Sequence, residues 1–445
     1  MDTVIETARS TSNRRRNQTL PPTLLPLAMT FTLFIFGVLA WVFKLSRSNN
    51  QPILPISPLQ VGLPLAALVA VMLIVQAWHL YIPPFMIKTW SMRMINIGTV
   101  LVLIGTTFHI VSNSNYRVDA ILYFFRWLLP LCCLLFLFLA LHLGGNKDAL
   151  IYGLLTGCLV SVIAVELNRR GLFTGVQNLG TRSGALLQHP NQYGILIGSM
   201  GPFIVYVLHK PGYFPKLIGL AAILLFSLGL FESLCKTNII VFPLACAATF
   251  IAFSLNNVAK LGKAIVIVTI WGVLSFFVAG IAMEIVRTCS PRDFQLITQL
   301  TTNPTEVKSL LEREDVWNEA LNYIRESPWF GKGPGWTEEH LMYQHAHNMF
   351  LQHWIEVGIW GVTGVILLSI GVIIRNFEVF SLALSKRQVI NNEFRLQIAA
   401  GISLFAALIG NSMSSSLHTG TMIPFCIVLA ISCLNQQMTP LRRHP

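Results

Sequence analysis

The sequence has few charged residues. Asp, Glu, Lys and Arg make up 11% of its 445 positions, against about a quarter in an ordinary soluble domain. A soluble fold of this composition would lack the polar surface that faces water, so we exclude a soluble domain. The eight cysteines include no C-x-x-C pair of the kind that binds zinc. The glycine-rich segment 331–335 predicts a sharp turn, and it lacks the G-x-x-x-x-G-K-[ST] spacing of a nucleotide-binding P-loop.

Hydrophobic residues make up 54% of the chain and fall into long runs. A helix of about 20 residues crosses a bilayer core, and backbone groups in lipid must pair within the segment. The runs therefore predict an all-α, polytopic membrane protein with about twelve transmembrane helices. The predicted spans are 24–45, 59–81, 95–112, 118–143, 148–167, 190–208, 215–232, 238–255, 264–286, 348–374, 396–417 and 421–434.

The spans divide the chain into five parts. We expect an N-terminal tail at 1–23, helices 1–9 within 24–286, a long loop at 287–347, helices 10–12 within 348–434, and a C-terminal tail at 435–445. Lys and Arg concentrate in the two tails and in alternate loops, which places both termini in the cytoplasm by the positive-inside rule. The long loop then lies outside. The net charge of +12 reflects this topology and contacts to an anionic substrate, not nucleic acid.

The long loop carries the pattern of an amphipathic helix. Apolar residues recur at helical spacing between Thr305 and Glu326, and Ser327-Pro328 is a stop signal. Arg313 and Trp317, four residues apart, share one face of this helix. A solvated surface charge is the alternative interpretation of Arg313.

A pair of histidines ends the loop, in the segment His345-Ala346-His347-Asn348. A neutral imidazole accepts a proton near neutral pH, so His347 is a candidate general base for a hydroxyl nucleophile. Structural hydrogen bonding is the main alternative. Metal binding is the weakest interpretation, because no pair of carboxylates accompanies the histidines.

Further polar residues lie at the same predicted face. Arg182 precedes the segment His189-Pro190-Asn191, and its planar fork suits phosphate. Lys236 lies in a short polar break and is a second candidate phosphate ligand. The alternatives are snorkelling for Arg182 and a topological role for Lys236. Glu356 lies at membrane depth, where a carboxylate usually has a partner, and we expect a cation of this site.

The order of these motifs resembles the O-antigen ligase and polymerase superfamily. It runs from R-S-G-x-x-x-x-H-P-N at 182–191, through a lysine in a short turn, to a long loop that ends in H-N. Within the loop, R-E-D-V-W at 313–317 and P-W-F-G-K-G at 328–333 are also similar. H-N-M-F-L-Q at 347–352, Glu356-x-Gly358 and Gly361 complete the resemblance.

This resemblance implies an all-helical, C-type glycosyltransferase with a structured periplasmic loop and no metal or other cofactor. The implied reaction transfers a glycan from a polyprenyl-diphosphate carrier to lipid A–core or a related acceptor, at the periplasmic face of the bacterial inner membrane. The candidate catalytic residues are His347, Arg182 and Arg313. The candidate contacts to the diphosphate or glycan are Lys236, Asn191, His189, His345, Asn348, Trp317 and Glu356. Lys236 departs from many relatives, which carry arginine there.

Three alternatives stay open at this point. The first is a polymerase of the same superfamily, which uses a second carrier-linked glycan as acceptor. A flippase for the same lipid would place cations at mid-membrane, as Arg126 would be. A scaffold without chemistry would leave the outer cations unexplained.

Overall fold

The structure is a computed structural model built mainly of helices. It describes residues 24–39, 89–112, 115–172, 176–179, 182–186, 190–233, 235–255, 259–267, 269–270, 308–341, 345–385 and 392–414. Its helices are α1 (Leu24–Leu39), α2 (Trp90–Val111), α3 (Arg117–His142), α4 (Lys147–Arg169), α5 (Pro190–Leu208), α6 (Tyr213–Ser233), α7 (Lys236–Ala252), α8 (Lys308–Glu326), α9 (Trp336–His340), α10 (Met349–Ser385) and α11 (Asn392–Ser414). Residues 259–267 and 269–270 are also helical.

Five of these helices have segments long and apolar enough to cross a membrane. The segments are Trp90–Val111, Lys147–Asn168, Tyr213–Leu230, Met349–Ser381 and Phe394–Ser412. Helix α1 and the segment Thr237–Ala252 are shorter apolar helices. The predicted spans 59–81 and 421–434, both tails and most of 264–307 lie outside the described residues, so the predicted number of twelve stays a prediction.

The helical architecture agrees with the all-α prediction, and one short hairpin accompanies the helices. Strand β1 (Gln177–Leu179) pairs antiparallel with strand β2 (Arg182–Ala185), and Leu179 lies opposite Arg182. Two residues, Gly180-Thr181, connect the strands in sequence, which is a connection length typical of hairpins. The sequence analysis did not predict this hairpin because its strands are too short to produce a recognisable alternating pattern.

Helices α2 and α10 form a close antiparallel pair. A Cβ added at Gly364 would lie 2.5 Å from the carbonyl oxygen of Gly98. A Cβ added at Gly105 would lie 2.5 Å from the Val357 side chain, and one at Gly371 would lie 2.8 Å from the carbonyl oxygen of Ser91. Glycines let the two backbones approach this closely, as is common where membrane helices pack.

Helix α5 is the centre of a second helix group. It is buried along nearly its whole length and packs against α6, α7 and α11. The Ser403 hydroxyl of α11 donates a hydrogen bond to the carbonyl oxygen of Ser199 in α5. A Cβ added at Gly198 would lie 2.5 Å from the side-chain oxygen of Asn238 in α7. Both contacts require small residues where the helices cross.

One end of the bundle, which we call the arginine end, carries Arg375 and Arg395. The Arg375 guanidinium is buried and lies 3.0 Å from the Glu378 carboxylate. Lys210 forms an ion pair of 2.5 Å with Asp148 at the start of α4. These basic residues are therefore held by partners inside the protein.

The opposite end, which we call the histidine end, carries Cys235 and the segment 345–348. Helix α10 begins at Met349, 26 residues before Arg375, so its first residues lie far from that arginine. A Cβ added at Gly401 of α11 would lie 2.9 Å from the Asn376 side-chain oxygen, which places Arg395 near the Arg375 end. Strand β2 packs against α4, α5 and α6, and α8 packs against α10. The candidate site is assembled from these elements.

Candidate functional site

Helix α8 presents one buried face toward the rest of the protein. Val316, Ala320 and Ile324 are buried at a spacing of four residues, whereas Glu314 and Asp315 are exposed. The helix ends at Glu326, where the sequence predicted a stop. The prediction of an amphipathic helix is therefore confirmed over the described residues, and its first predicted residues, 305–307, lie outside them.

Arg313 lies half-buried on α8 and is not a solvated surface charge. Burial lowers the pKa of its guanidinium, and the neighbouring Cys235 sulfur raises it. The guanidinium remains charged at any physiological pH. This electrostatic interaction indicates that Arg313 lies near the turn between α6 and α7, in which Cys235 directly precedes Lys236.

The first turn of α5 meets the same α6–α7 turn. A Cβ added at Gly194 would lie 3.0 Å from the Ser233 hydroxyl oxygen and 3.1 Å from the Cys235 sulfur. Asn191 is buried three residues before Gly194. Helix α5 therefore brings the end of the R-S-G-x-x-x-x-H-P-N motif against the turn that precedes Lys236.

Some predicted site residues are only partly described. The backbone of Arg182 lies in β2, which packs against α4, α5 and α6 at the histidine end. The backbone of Lys236 begins α7. The side chains of both residues lie outside the described part of the structure, as does the whole of His189, so their place in the site stays a prediction.

The turn that contains His347 is held on both sides of Ala346. The Ala346 N–H donates to the side-chain oxygen of Gln352 at 2.9 Å, and its carbonyl oxygen accepts from the Trp317 indole N–H at 2.9 Å. These two bonds fix the peptide planes that join Ala346 to His345 and to His347. Trp317 thus links the helix that carries Arg313 to the histidine turn.

His347 has an unusual backbone conformation. Its φ of 49° lies in the left-handed region, which costs a residue with a Cβ roughly 1–2 kcal/mol. The next residue, Asn348, caps α10: its side-chain oxygen accepts from the N–H groups of Phe350 and Leu351 at 3.0 and 3.3 Å. The surrounding hydrogen bonds hold His347 in this conformation.

The glycine-rich turn packs on a break in α10. Gly358 has a φ of 71°, and the Ile359 N–H donates to Pro328 at 3.0 Å instead of continuing the helix. The freed carbonyl oxygen of Ile355 accepts from the Lys332 N–H at 2.6 Å. A Cβ on Gly331 would lie 2.6 Å from the Gly358 nitrogen, so glycine is needed at both positions. The predicted turn is confirmed, and its partner is the helix break.

Glu356 is buried directly behind this turn. Its carboxyl accepts hydrogen bonds from the Thr337 hydroxyl at 2.9 Å and from the Gln352 side-chain N–H at 2.6 Å. The Gly335 backbone also hydrogen-bonds to it. These polar, uncharged partners differ from the cation that the sequence analysis expected. Within the described part of the chain, a loop threonine and an i−4 glutamine satisfy the carboxyl without an ion pair.

The ends of α2 and α3 support the loop from the other side. The His109 imidazole lies 2.6 Å from the carbonyl oxygen of Phe330, and the Tyr116 hydroxyl donates to Glu339 at 2.9 Å. Partial burial and the neighbouring Glu339 carboxylate raise the pKa of Tyr116. Sequence reasoning missed these residues because nothing in the first 120 positions marks them as partners of a loop 200 residues away.

The sequence analysis also missed Gln352, Thr337 and Cys235. The spacing of Gln352 and Glu356, four apart on a helix, was an available signal. Thr337 and Cys235 carried none, because their contacts join segments distant in sequence. Among the described residues, no three His, Cys, Asp or Glu side chains come together as a potential metal site.

Comparison with known proteins matches one part of the chain to a family. Residues 221–366 match the family described as O-antigen ligase. The match covers the second half of α6, α7, α8, the glycine-rich turn, the histidine turn and the broken part of α10. No curated protein matches the chain.

Proposed function

We propose that this chain transfers a glycan from a polyprenyl diphosphate to a sugar hydroxyl of lipid A–core or a related acceptor. The match of residues 221–366 to the O-antigen ligase family supports the proposal. The membrane-embedded, helical fold agrees with a lipid-linked donor. The proposal extends the family match to a particular donor, acceptor and set of residues.

One observation carries the proposal. Arg313 lies near Cys235, which directly precedes Lys236, while Trp317, one helical turn away, holds the peptide group before His347. A cation and an imidazole from segments far apart in sequence are thereby held at one end of the bundle. This arrangement supports a glycosyl transfer from a diphosphate.

The proposed chemistry has two parts. Arg182, Lys236 and Arg313 bind the diphosphate and stabilise the charge that develops as it leaves; fixed donors of this kind contribute roughly 10²–10³-fold each. His347 accepts the proton of the attacking hydroxyl, a role worth about 10²–10⁴-fold. His345, Asn348 and Asn191 lie beside these groups in the chain and are proposed to contact the glycan. Direct displacement inverts the anomeric carbon.

We further propose that the reaction needs no metal ion and takes place on the periplasmic face of a bacterial inner membrane. The arginine end, opposite His347, carries three basic residues: Lys210, Arg375 and Arg395. By the positive-inside rule, this distribution agrees with a cytoplasmic location of the arginine end. Single cysteines introduced at Glu338 and at Tyr213, both exposed, test this with a membrane-impermeant maleimide. Labelling of both from the same side contradicts the topology.

The transfer reaction is tested with purified protein in liposomes. A polyprenyl-diphosphate-linked glycan is supplied with lipid A–core in one arm and with a second carrier-linked glycan in the other, each with and without a chelator. New glycosidic product on lipid A–core supports a ligase. Product only on the second glycan identifies a polymerase, and transbilayer movement without product identifies a flippase. Loss of product with the chelator contradicts metal independence.

Two arginines on α8, Arg313 and Arg325, provide a test of the site and its matched control. Arg313→Ala is expected to abolish most product, whereas Arg325→Ala, which changes an exposed arginine on the same helix, leaves it near the wild-type level. Equal activity of the two variants would contradict the placement of Arg313 at the diphosphate.

A further inference from the structure

The hydrogen bonds behind the histidine turn form a directed chain. The Gln352 side chain accepts from the Ala346 N–H through its oxygen and donates through its nitrogen to Thr337 and Glu356, both at 2.6 Å. The Thr337 hydroxyl in turn donates to Glu356. In this chain, the donor and acceptor of one hydrogen bond determine which group donates in the next.

The chain is buried, so water does not compete for its groups. Gln352, Thr337 and Glu356 are 2%, 0% and 5% exposed. The Glu356 carboxyl accepts and does not donate in this arrangement, so the amide of Gln352 must turn its N–H groups toward it. The amide oxygen then points to Ala346. Glu356 thus determines which end of Gln352 meets the histidine turn.

From this geometry we infer that Gln352 is a positioning residue for His347, oriented by Glu356 and Thr337. The three residues lie behind the turn and act through the backbone of Ala346. This assigns Glu356 to support of the site instead of contact with substrate. The inference rests on the proposed transferase function, because its effect is measured on that reaction.

Loss of the Gln352 hydrogen bond should slow the chemical step of the transfer reaction. Without the bond from Gln352, the peptide between His345 and Ala346 can rotate, and the imidazole of His347 loses its place beside the acceptor hydroxyl. A misplacement of about 1 Å costs on the order of 10²-fold in rate. Donor binding depends mainly on the cations that bind the diphosphate, so it should change less than the chemical step.

The main test uses Gln352→Met, which keeps length and volume but removes both hydrogen-bonding functions. We expect kcat to fall about 10–100-fold, with the KM for the donor within about 3-fold of wild type. Gln352→Glu keeps an acceptor for the Ala346 N–H but places a carboxylate against Glu356. Its kcat should fall at least as far as that of Gln352→Met. Gln397→Met, a buried glutamine near the arginine end, is the control and should keep wild-type kcat.

Two further variants separate positioning from general stability. Thr337→Val removes the hydroxyl and should lower kcat, while Thr337→Ser should restore it. In a His347→Ala background, Gln352→Met should cause no further loss in a single-turnover assay, because the residue it positions is gone.

The outcomes are distinct. If wild-type protein forms no product, the proposed function fails. If wild-type protein is active but Gln352→Met keeps its kcat, raises only the donor KM, or lowers the activity of His347→Ala further, the positioning role is overturned.

Discussion

The indole N–H of Trp317 donates a hydrogen bond of 2.9 Å to the backbone carbonyl oxygen of Ala346. The two residues belong to different segments, one on the amphipathic helix α8 and one in the histidine turn. Since Arg313 lies one turn before Trp317, the bond sets the distance between the proposed phosphate-binding helix and His347. Positions of both groups therefore depend on α8 docking correctly.

Trp317→Phe removes this N–H and keeps most of the ring packing. We expect kcat to fall about 10-fold or more, because the carbonyl oxygen of Ala346 loses the bond that holds the peptide before His347. The measurement is steady-state transfer in liposomes. Trp360→Phe, on the partly exposed face of α10, is the matched control, and an equal response of the two would refute the role of Trp317.

Arg313→Lys keeps the positive charge and removes the planar fork. Two parallel hydrogen bonds from arginine to phosphate are stronger and better oriented than the single contact of an ammonium. We expect kcat/KM for the donor to fall about 10-fold, with a larger fall for Arg313→Ala. Full activity of Arg313→Lys would mean that charge alone suffices at this position.

Gly358→Ala should destabilise the protein strongly. The residue has a φ of 71°, and an added Cβ would lie 2.6 Å from the Phe330 carbonyl carbon. Left-handed strain of roughly 1–2 kcal/mol then adds to an overpacking cost of about 1–3 kcal/mol. Thermal unfolding in detergent measures the loss.

Gly171→Ala is the control for that variant. Gly171 also has a φ of 71°, but an added Cβ would meet nothing within 4 Å. The Gly171→Ala variant should therefore be destabilised only by the left-handed backbone strain, and its Tm should fall less than that of Gly358→Ala. A Gly358→Ala variant no less stable than Gly171→Ala would argue against the close packing of the glycine-rich turn on α10.

His209 should make the stability of the protein depend on pH. Burial lowers the pKa of its imidazole; a hydrogen bond to Val205 raises it, and the nearby Arg395 lowers it. The folded state thus holds His209 neutral at pH values where the unfolded chain, with a pKa of about 6.5, binds a proton. This contribution is fully present above about pH 6.5 and is lost as the pH falls toward the lower, folded-state pKa.

The check is the unfolding temperature between about pH 7.5 and pH 5. His209→Phe keeps an aromatic ring against Phe250 and Phe253 and should flatten the decline on the acid side. If His209→Phe loses stability on acidification as steeply as wild type, the pH dependence of stability comes from other groups.

Much of the helical framework could be predicted from the sequence because lipid imposes a simple rule. Backbone groups in an apolar run must pair internally, so run length predicts a helix. The run at 190–208 corresponds to α5 without a shift of either boundary. The stop at Ser327-Pro328 and the turn at Gly331 also followed from local chemistry, since both depend on backbone conformations that neighbours in sequence determine.

The break in α10 and the partners of Glu356 could not be predicted in this way. An apolar run predicts a continuous helix, and Gly358 alone is tolerated within one. The break is stable because Pro328 and Lys332 supply hydrogen bonds to the freed groups. Those partners lie more than 20 residues away in sequence, and their contact is a property of the folded chain.

The sequence by itself determined which segments are helices, which residue types are available for phosphate and proton chemistry, and the family that their order resembles. Only the tertiary structure decided that Arg313 is half-buried near Cys235, that Trp317 and Gln352 hold the two sides of Ala346, and that Glu356 accepts hydrogen bonds from Thr337 and Gln352. Local structure depends on interactions between residues near in sequence. The position of a side chain in a site depends on packing between helices, which brings together segments that the sequence keeps far apart.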